Sequence, residues 1–136
     1  MSLATYAHPA AFTWTTPRVE PEAIRDARAW ARRELTGKGV PGRAVDDAVL
    51  MVSELLTNVL RQAPGAAELT LLVEHNLLTV TCADSDRTPA RSETPDPVSE
   101  RGRDLLTADA LAYACFIRPR AGGGKRVIAL IEMADR

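Results

Sequence analysis

The sequence predicts an α/β protein with helices packed on one face of a mainly antiparallel sheet. Three observations predict it. Val45, Ala48, Val49, Val52, Leu55, Leu56, Val59 and Leu60 form one wide apolar face at helical spacing. On either side of His75-Asn76, apolar and polar side chains alternate, as in a hairpin of half-buried strands. Two further short apolar runs flank Gly122-Gly123-Gly124 near the end of the chain. Helical stripes and sheet faces of this kind bury one another in layers.

Taken in order, residues 1–11 carry no period and read as a flexible N-terminal arm, and residues 12–136 as one domain. Phe12 and Trp14 alternate with threonines, which predicts a short strand. Pro21 opens a helix with Glu22 and Asp26 near its start and Ala23, Ile24, Ala27, Trp30 and Ala31 on its apolar stripe. Gly37, Gly39, Pro41 and Gly42 end it in a turn. The second helix follows, with Asp46 and Asp47 near its positive end, and Pro64-Gly65 stop it. In the hairpin, Leu69, Leu71 and Val73 line one face of the first strand and Leu78, Val80 and Cys82 that of the second, which ends at Asp84. Residues 85–98 are polar and proline-bearing, the composition of a mobile loop, and a loop of that length in a small domain is functional or disordered. Ser99 to Ala114 reads as a further helix, Tyr113 to Arg118 as a strand and Val127 to Met133 as the last strand. Trp14, Phe12 and Trp30 suit a core or an interface, and a core is the commoner place for them.

Composition excludes several function classes. The chain has 136 residues, enough for one domain with a core that needs no disulfide or metal. Its formal net charge of −1 provides no global basic field for nucleic acid. Lys38 and Lys125 are the only lysines, so nearly all positive charge is arginine. Cys82 and Cys115 have neither Cys-x-x-Cys nor zinc-ligand spacing and lie in apolar runs, as buried free thiols do. No apolar run reaches the roughly 20 residues a membrane span needs. The first residues lack the basic and apolar regions of a signal peptide, so the expected location is the cytoplasm.

Three places offer chemistry. Glu54 and Asn58 are one turn apart on the second helix, and Arg61 continues their stripe. A carboxylate and a carboxamide held on a rigid helix can position a hard cation and a hydroxyl or water; the same stripe is also what a solvated helix face looks like. Asp84 ends an apolar strand and opens the long loop, where a carboxylate can accept hydrogen bonds from an exocyclic amine or simply form a turn. Gly102 and Arg103 lie just inside the third helix, where backbone amides attract phosphate. Gly122 to Lys125 lacks phosphate-loop spacing and precedes a strand, so it reads as a hairpin turn. His8, in the arm, and His75, in a turn, are placed for neither a catalytic triad nor a metal cluster.

The order of these points resembles a known family. Ser53-Glu54-Leu55-Leu56-Thr57-Asn58-Val59-Leu60-Arg61-Gln62-Ala63 looks like the N-box of the histidine-kinase-like (Bergerat) ATPases, closest to the stand-alone anti-sigma-factor serine kinases. Val80 to Asp84 resembles their adenine-binding aspartate motif, and Gly102-Arg103-Asp104-Leu105 their Gly-Arg-Gly-Leu motif. The final Gly-Gly-Lys before an apolar strand also matches, and the similarity covers roughly residues 12–133.

The resemblance implies a two-layer α/β sandwich with helices on one face of a mixed, mainly antiparallel sheet. It implies Mg-ATP between the N-box helix and residues 85–101, which would act as a lid. Glu54 would be the general base or water-orienting carboxylate, Asn58 the magnesium ligand and Asp84 the partner of the adenine amine, with Arg61, Gly102 and Arg103 also at the cofactor. It implies a sigma factor or a STAS-type anti-sigma antagonist as partner, serine phosphorylation of that antagonist, and a possible homodimer, with no nucleic acid or membrane involved.

The chain departs from the family pattern at four points. Both glycines of Asp-x-Gly-x-Gly are missing from Asp84-Ser85-Asp86-Arg87-Thr88, and Asp104 replaces the second glycine of Gly-Arg-Gly-Leu. Gln62 stands where a histidine is common, and the loop is short for a full lid. A carboxylate about 4 Å from phosphate charge is repelled by roughly 4 kcal/mol at an effective dielectric of about 20. Hence the alternatives to a kinase are a degenerate module that sequesters a protein without ATP turnover, and a nucleotide-gated switch that transfers no phosphate.

Overall fold

A computed structural model describes residues 9–62, 65–84, 114–121 and 123–133. They form β1 (Ala10–Thr16), α1 (Pro21–Gly37), α2 (Gly42–Gln62), β2 (Ala67–Glu74), β3 (Leu77–Asp84), β4 (Ala114–Pro119) and β5 (Lys125–Glu132). The expected helix from Ser99 to Ala114 and the loop before it lie outside the described residues, apart from Ala114, which opens β4.

The strands make one sheet in the order β1-β2-β3-β5-β4, and every described pairing is antiparallel. β5 therefore sits in the interior of the sheet beside β3, and β4 takes the edge. The two helices pack together, α1 against β1 and α2 across β2, β3 and β5. The expected two-layer arrangement is thus present, with helices on one face.

Register follows the alternation of side chains. Leu69, Leu71 and Val73 on β2, Leu78, Val80 and Cys82 on β3, and Val127, Ala129 and Ile131 on β5 are all buried beneath the helices. A slip of one residue would turn this whole set to the other face, so burial pins the pairing. β1 opens at Ala10, so Ala10 and Ala11, expected in the N-terminal arm, pair with Val73 and Leu72.

The ends of α1 explain its length. Pro21 stands in its first turn, where the missing N–H costs nothing. At the other end Gly39 has φ 85, and the reversed backbone lets Gly39 N–H donate to Thr36 O and Val40 N–H to Leu35 O. Leu35 and Val40 both enter the core, which closes the motif with an apolar contact. Gly42, expected in the turn, is instead the first residue of α2. Pro41 O accepts from Val45 N–H, so the new helix starts at once.

The other turns are short. His75 takes φ 56 in the His75-Asn76 turn between β2 and β3. Gly123 and Gly124 have φ 111 and 86, the left-handed conformation that the expected hairpin turn before β5 requires. Trp30 is buried, and Phe12 and Trp14 are half-buried against the same core, so the three aromatics are core residues. Cys82 and Cys115 are both buried, as their apolar settings predict.

Candidate functional site

α2 carries Glu54, Asn58 and Arg61 along one edge of its buried face. Its apolar side, from Ala44 to Val59, is spent on the core. Glu54 and Asn58 are half-buried beside it, and Arg61 is exposed. They are anchored from below by Leu55, Leu56 and Val59, which fix how the helix sits on the sheet. Thr57 Oγ1 donates to Ser53 O at 2.6 Å, so that hydroxyl is committed to its own helix.

Gln62 lies one further helical step beyond Asn58, and it connects this stripe to the sheet. Lys125 Nζ donates to Gln62 Oε1 at 2.7 Å. The same ammonium lies 2.9 Å from Asp84 Oδ2, in an ion pair whose side chains are 12% and 4% exposed. Glu54, Asn58, Gln62, Lys125 and Asp84 thus follow one line from the middle of α2 to the end of β3.

Sheet geometry places the two charges. Asp84 continues the inward phase of Leu78, Val80 and Cys82, and Lys125 that of Val127, Ala129 and Ile131. The β3–β5 register pairs Ala83 with Arg126, so their neighbours Asp84 and Lys125 meet at one end of the ladder. Lys125 N–H also donates to Asp84 Oδ1 at 3.3 Å, and Arg120 Nη1 donates to Asp84 O at 2.6 Å. Both grips come from the hairpin between β4 and β5, where Gly123 N–H donates to Arg120 O and Arg120 N–H to Gly124 O.

Asp84 is the one charged residue that is buried among the described residues. A buried carboxylate is tolerated only when paired and hydrogen-bonded, and Lys125 meets both needs. Nearby, burial pushes the Cys82 thiol up to about 12; the Asp84 carboxylate adds to the rise and the Lys125 ammonium opposes it. Cys82 is accordingly an inert core thiol below this site and no nucleophile.

Glu54 and Asn58 lie on α2 and Asp84 at the end of β3, and this helix and strand pack together. Gly102 and Arg103 lie outside the described residues, as does Asp104. The sequence reading missed Lys125 as a site residue. The signal was present: an inward-phase lysine opens one apolar strand and an inward-phase aspartate closes another.

The oxygen donors of the stripe suit magnesium, which takes few protein ligands and keeps water and phosphate for the rest. Asn58 offers a carboxamide oxygen, with the Glu54 carboxylate one turn away. No cluster of three or more His, Cys, Asp or Glu side chains suited to hold a metal exists among the described residues.

Comparison with known proteins bears on the family and the fold. The profile of the histidine kinase-like ATPase domain matches residues 18–131, a span that contains every residue of the line described above. Among solved structures, the crystal structure of the RsbU and RsbW domains of Rv1364c from Mycobacterium tuberculosis is similar, with a TM-score of 0.64 at 17% identity. That alignment covers 96% of this chain and 34% of the other, so this chain spans about a third of that protein's length. At such identity the likeness is one of fold. No curated protein sequence matches the chain.

Proposed function

The chain belongs to the histidine kinase-like ATPase domain family, and from that premise we propose that it binds Mg-ATP between the α2 stripe and the Asp84 end of β3. We propose further that it is an anti-sigma regulator with protein serine/threonine kinase activity toward a STAS-type antagonist. The observation that carries the reading is the continuous polar line from Glu54 through Asn58 and Gln62 to Lys125 and Asp84. It supports the reading because a carboxylate stands near each end, Asp84 for the adenine amine and Glu54 for proton transfer in this proposal.

In this reading the Asp84 carboxylate accepts from the exocyclic amine of adenine. Asn58 would hold magnesium through its carboxamide oxygen, and the ion would neutralise phosphate charge. Arg61, Gly102 and Arg103 are the further residues proposed to bind the cofactor, the last two at its phosphates. Glu54 accepts the proton of a serine hydroxyl as its oxygen bonds to the γ-phosphorus, and the bond from that phosphorus to the bridging oxygen breaks to release ADP. The sigma factor and the antagonist are the proposed partners, and self-association into a homodimer belongs to the same proposal. No helix among the described residues is long and apolar enough to cross a membrane.

A second reading has one specific observation in its favour. The carboxylate offered to adenine is already engaged by Lys125. With Asp104 in place of the second glycine of Gly-Arg-Gly-Leu and the two glycines missing after Asp84, this supports a module that sequesters a protein partner without ATP turnover.

Thermal unfolding with Mg-ATP, ADP and GTP separates the two. ATP at about 100 times its dissociation constant stabilises the folded state by roughly 2.7 kcal/mol. For a domain of this size that is a rise of about 3–6 °C. A rise confined to adenine nucleotides and lost in Asp84→Ala supports the first reading; no rise at millimolar ATP supports the second. Transfer to a serine that persists in a folded Glu54→Ala would remove Glu54 from the proton-transfer role.

A further inference from the structure

We propose that Lys125 is a specificity-determining residue of the base site: its ammonium, beside the Asp84 carboxylate, reads N1 of adenine while the carboxylate reads the 6-amino group. The inference rests on the nucleotide-binding reading above and adds to it the residue that distinguishes the base.

Burial comes first. An ammonium is strongly hydrated, and withdrawing it from water is unfavourable unless partners replace that water. Lys125 nevertheless turns inward, under α2, with 12% of its side chain exposed. The chain meets almost every other need for positive charge with arginine and has lysine only here and at position 38. An arginine at this place would fork onto both carboxylate oxygens at once. The lysine ammonium is a point donor and lies 2.9 Å from Oδ2.

Donor arithmetic comes next. An ammonium has three N–H groups and no acceptor. Among the described residues, Asp84 Oδ2 at 2.9 Å and Gln62 Oε1 at 2.7 Å take two of them. The carboxylate beside it is oriented by a hydrogen bond from Lys125 N–H to Oδ1. The pair therefore presents a fixed acceptor next to a fixed donor.

That pattern matches one purine. Adenine carries an amine, which donates, next to N1, which accepts. Asp84 and Lys125 meet both without moving a proton. Guanine in the same pose sets its O6 against the carboxylate and its N1–H against the ammonium. Both contacts are repulsive, and exclusion by unlike pairing is a strong source of discrimination. Gln62 holds the ammonium from the helix side, so α2 positions the donor although no α2 side chain is asked to touch the base.

The test is titration calorimetry of the full chain with Mg-ADP, Mg-GDP and Mg-1-deaza-ADP, whose base has a C–H in place of N1. A hydrogen bond from a charged donor is worth a factor of roughly ten or more. The expected result is that 1-deaza-ADP binds at least about tenfold more weakly than ADP, and GDP more weakly still. In Lys125→Met, ADP should fall to the level of 1-deaza-ADP, and the two should become indistinguishable. Equal affinity of the wild-type chain for ADP and 1-deaza-ADP overturns the inference and leaves the nucleotide-binding reading standing. Tighter ADP binding by Lys125→Met also overturns it, because the ammonium would then be occluding the base. Failure of the wild-type chain to bind any adenine nucleotide overturns both. Should Lys125→Met not fold, the wild-type comparison of the two adenine analogues decides alone.

Discussion

Lys125 Nζ lies 2.9 Å from Asp84 Oδ2, and the two side chains join the start of β5 to the end of β3 with little exposure to water. A pair of this kind behaves asymmetrically on mutation. Removing one partner strands the other charge in a site built for two, which costs about 3–5 kcal/mol. Lys125→Met is therefore expected to lower the stability of the unliganded chain by about 3 kcal/mol. Removing both charges together, in Asp84→Asn with Lys125→Met, strands nothing and should cost far less than the sum. Urea denaturation of the two single variants and the double variant measures the coupling. Additive losses would mean that the charges do not depend on each other.

The end of α1 provides a contrast between two glycines. Gly39 has φ 85 and carries the backbone reversal that lets Val40 N–H reach Leu35 O. An alanine there pays about 1–2 kcal/mol for the left-handed conformation. Gly37, the last residue of α1, has open space around the position of an added Cβ. Alanine at that place restricts the unfolded chain and strains nothing, for a gain of about 0.5 kcal/mol. Thermal melts should move down for Gly39→Ala and up for Gly37→Ala. A common direction would contradict the assignment of Gly39 as the residue that needs its missing side chain.

Trp14 and Trp30 have ring centroids 6.4 Å apart with planes at 35°, joining β1 to α1. Trp30 is 7% exposed, whereas Trp14 is only half-buried. Deleting a buried tryptophan costs about 3–5 kcal/mol, so Trp30→Ala should be the more damaging of the two. Because the rings touch, the double variant should cost about 1 kcal/mol less than the sum of the singles. Equal losses from the two single variants, in denaturant melts, would contradict this placement of the core.

How much of this was legible in the sequence depends on the range of each signal. The stripe of Glu54 and Asn58 is a matter of spacing within one helix, and the alternation at Leu78, Val80 and Cys82 is local to one strand. Such features need no knowledge of the rest of the chain. The pairing of Asp84 with Lys125 spans 41 residues, and it exists because β5 inserts between β3 and β4. Extending the inward phase of each strand by one step gives both charges, but only the strand order brings them together. In the sequence Gln62 is only a departure from a family pattern, and its contact with Lys125 arises when α2 lies across the sheet. Gly42 misled for a local reason: glycine and proline mark turns, yet here they also begin a helix.

The same corner of the sheet sets a dependence of stability on pH. Cys82 is raised to about 12 from an ordinary value of 9.0, first by burial and then by the neighbouring carboxylate. Below the unfolded value both states hold the proton, and the thiol contributes its full stability there. Above about 9 the unfolded chain releases the proton while the folded chain keeps it until about 12. The folded state then binds more protons, so stability must fall as pH rises across that window, by up to about 1.4 kcal/mol per unit. Cys82→Ser keeps a small polar group there but removes the ionisation, and it should flatten the slope measured by urea unfolding between those limits. In the native chain at pH 8 a thiol reagent should modify neither Cys82 nor Cys115, both buried, while the unfolded chain reacts at once. Rapid native modification of Cys82 would show that the wall beneath Asp84 opens on the timescale of the reaction, and the pH slope would then shrink with it.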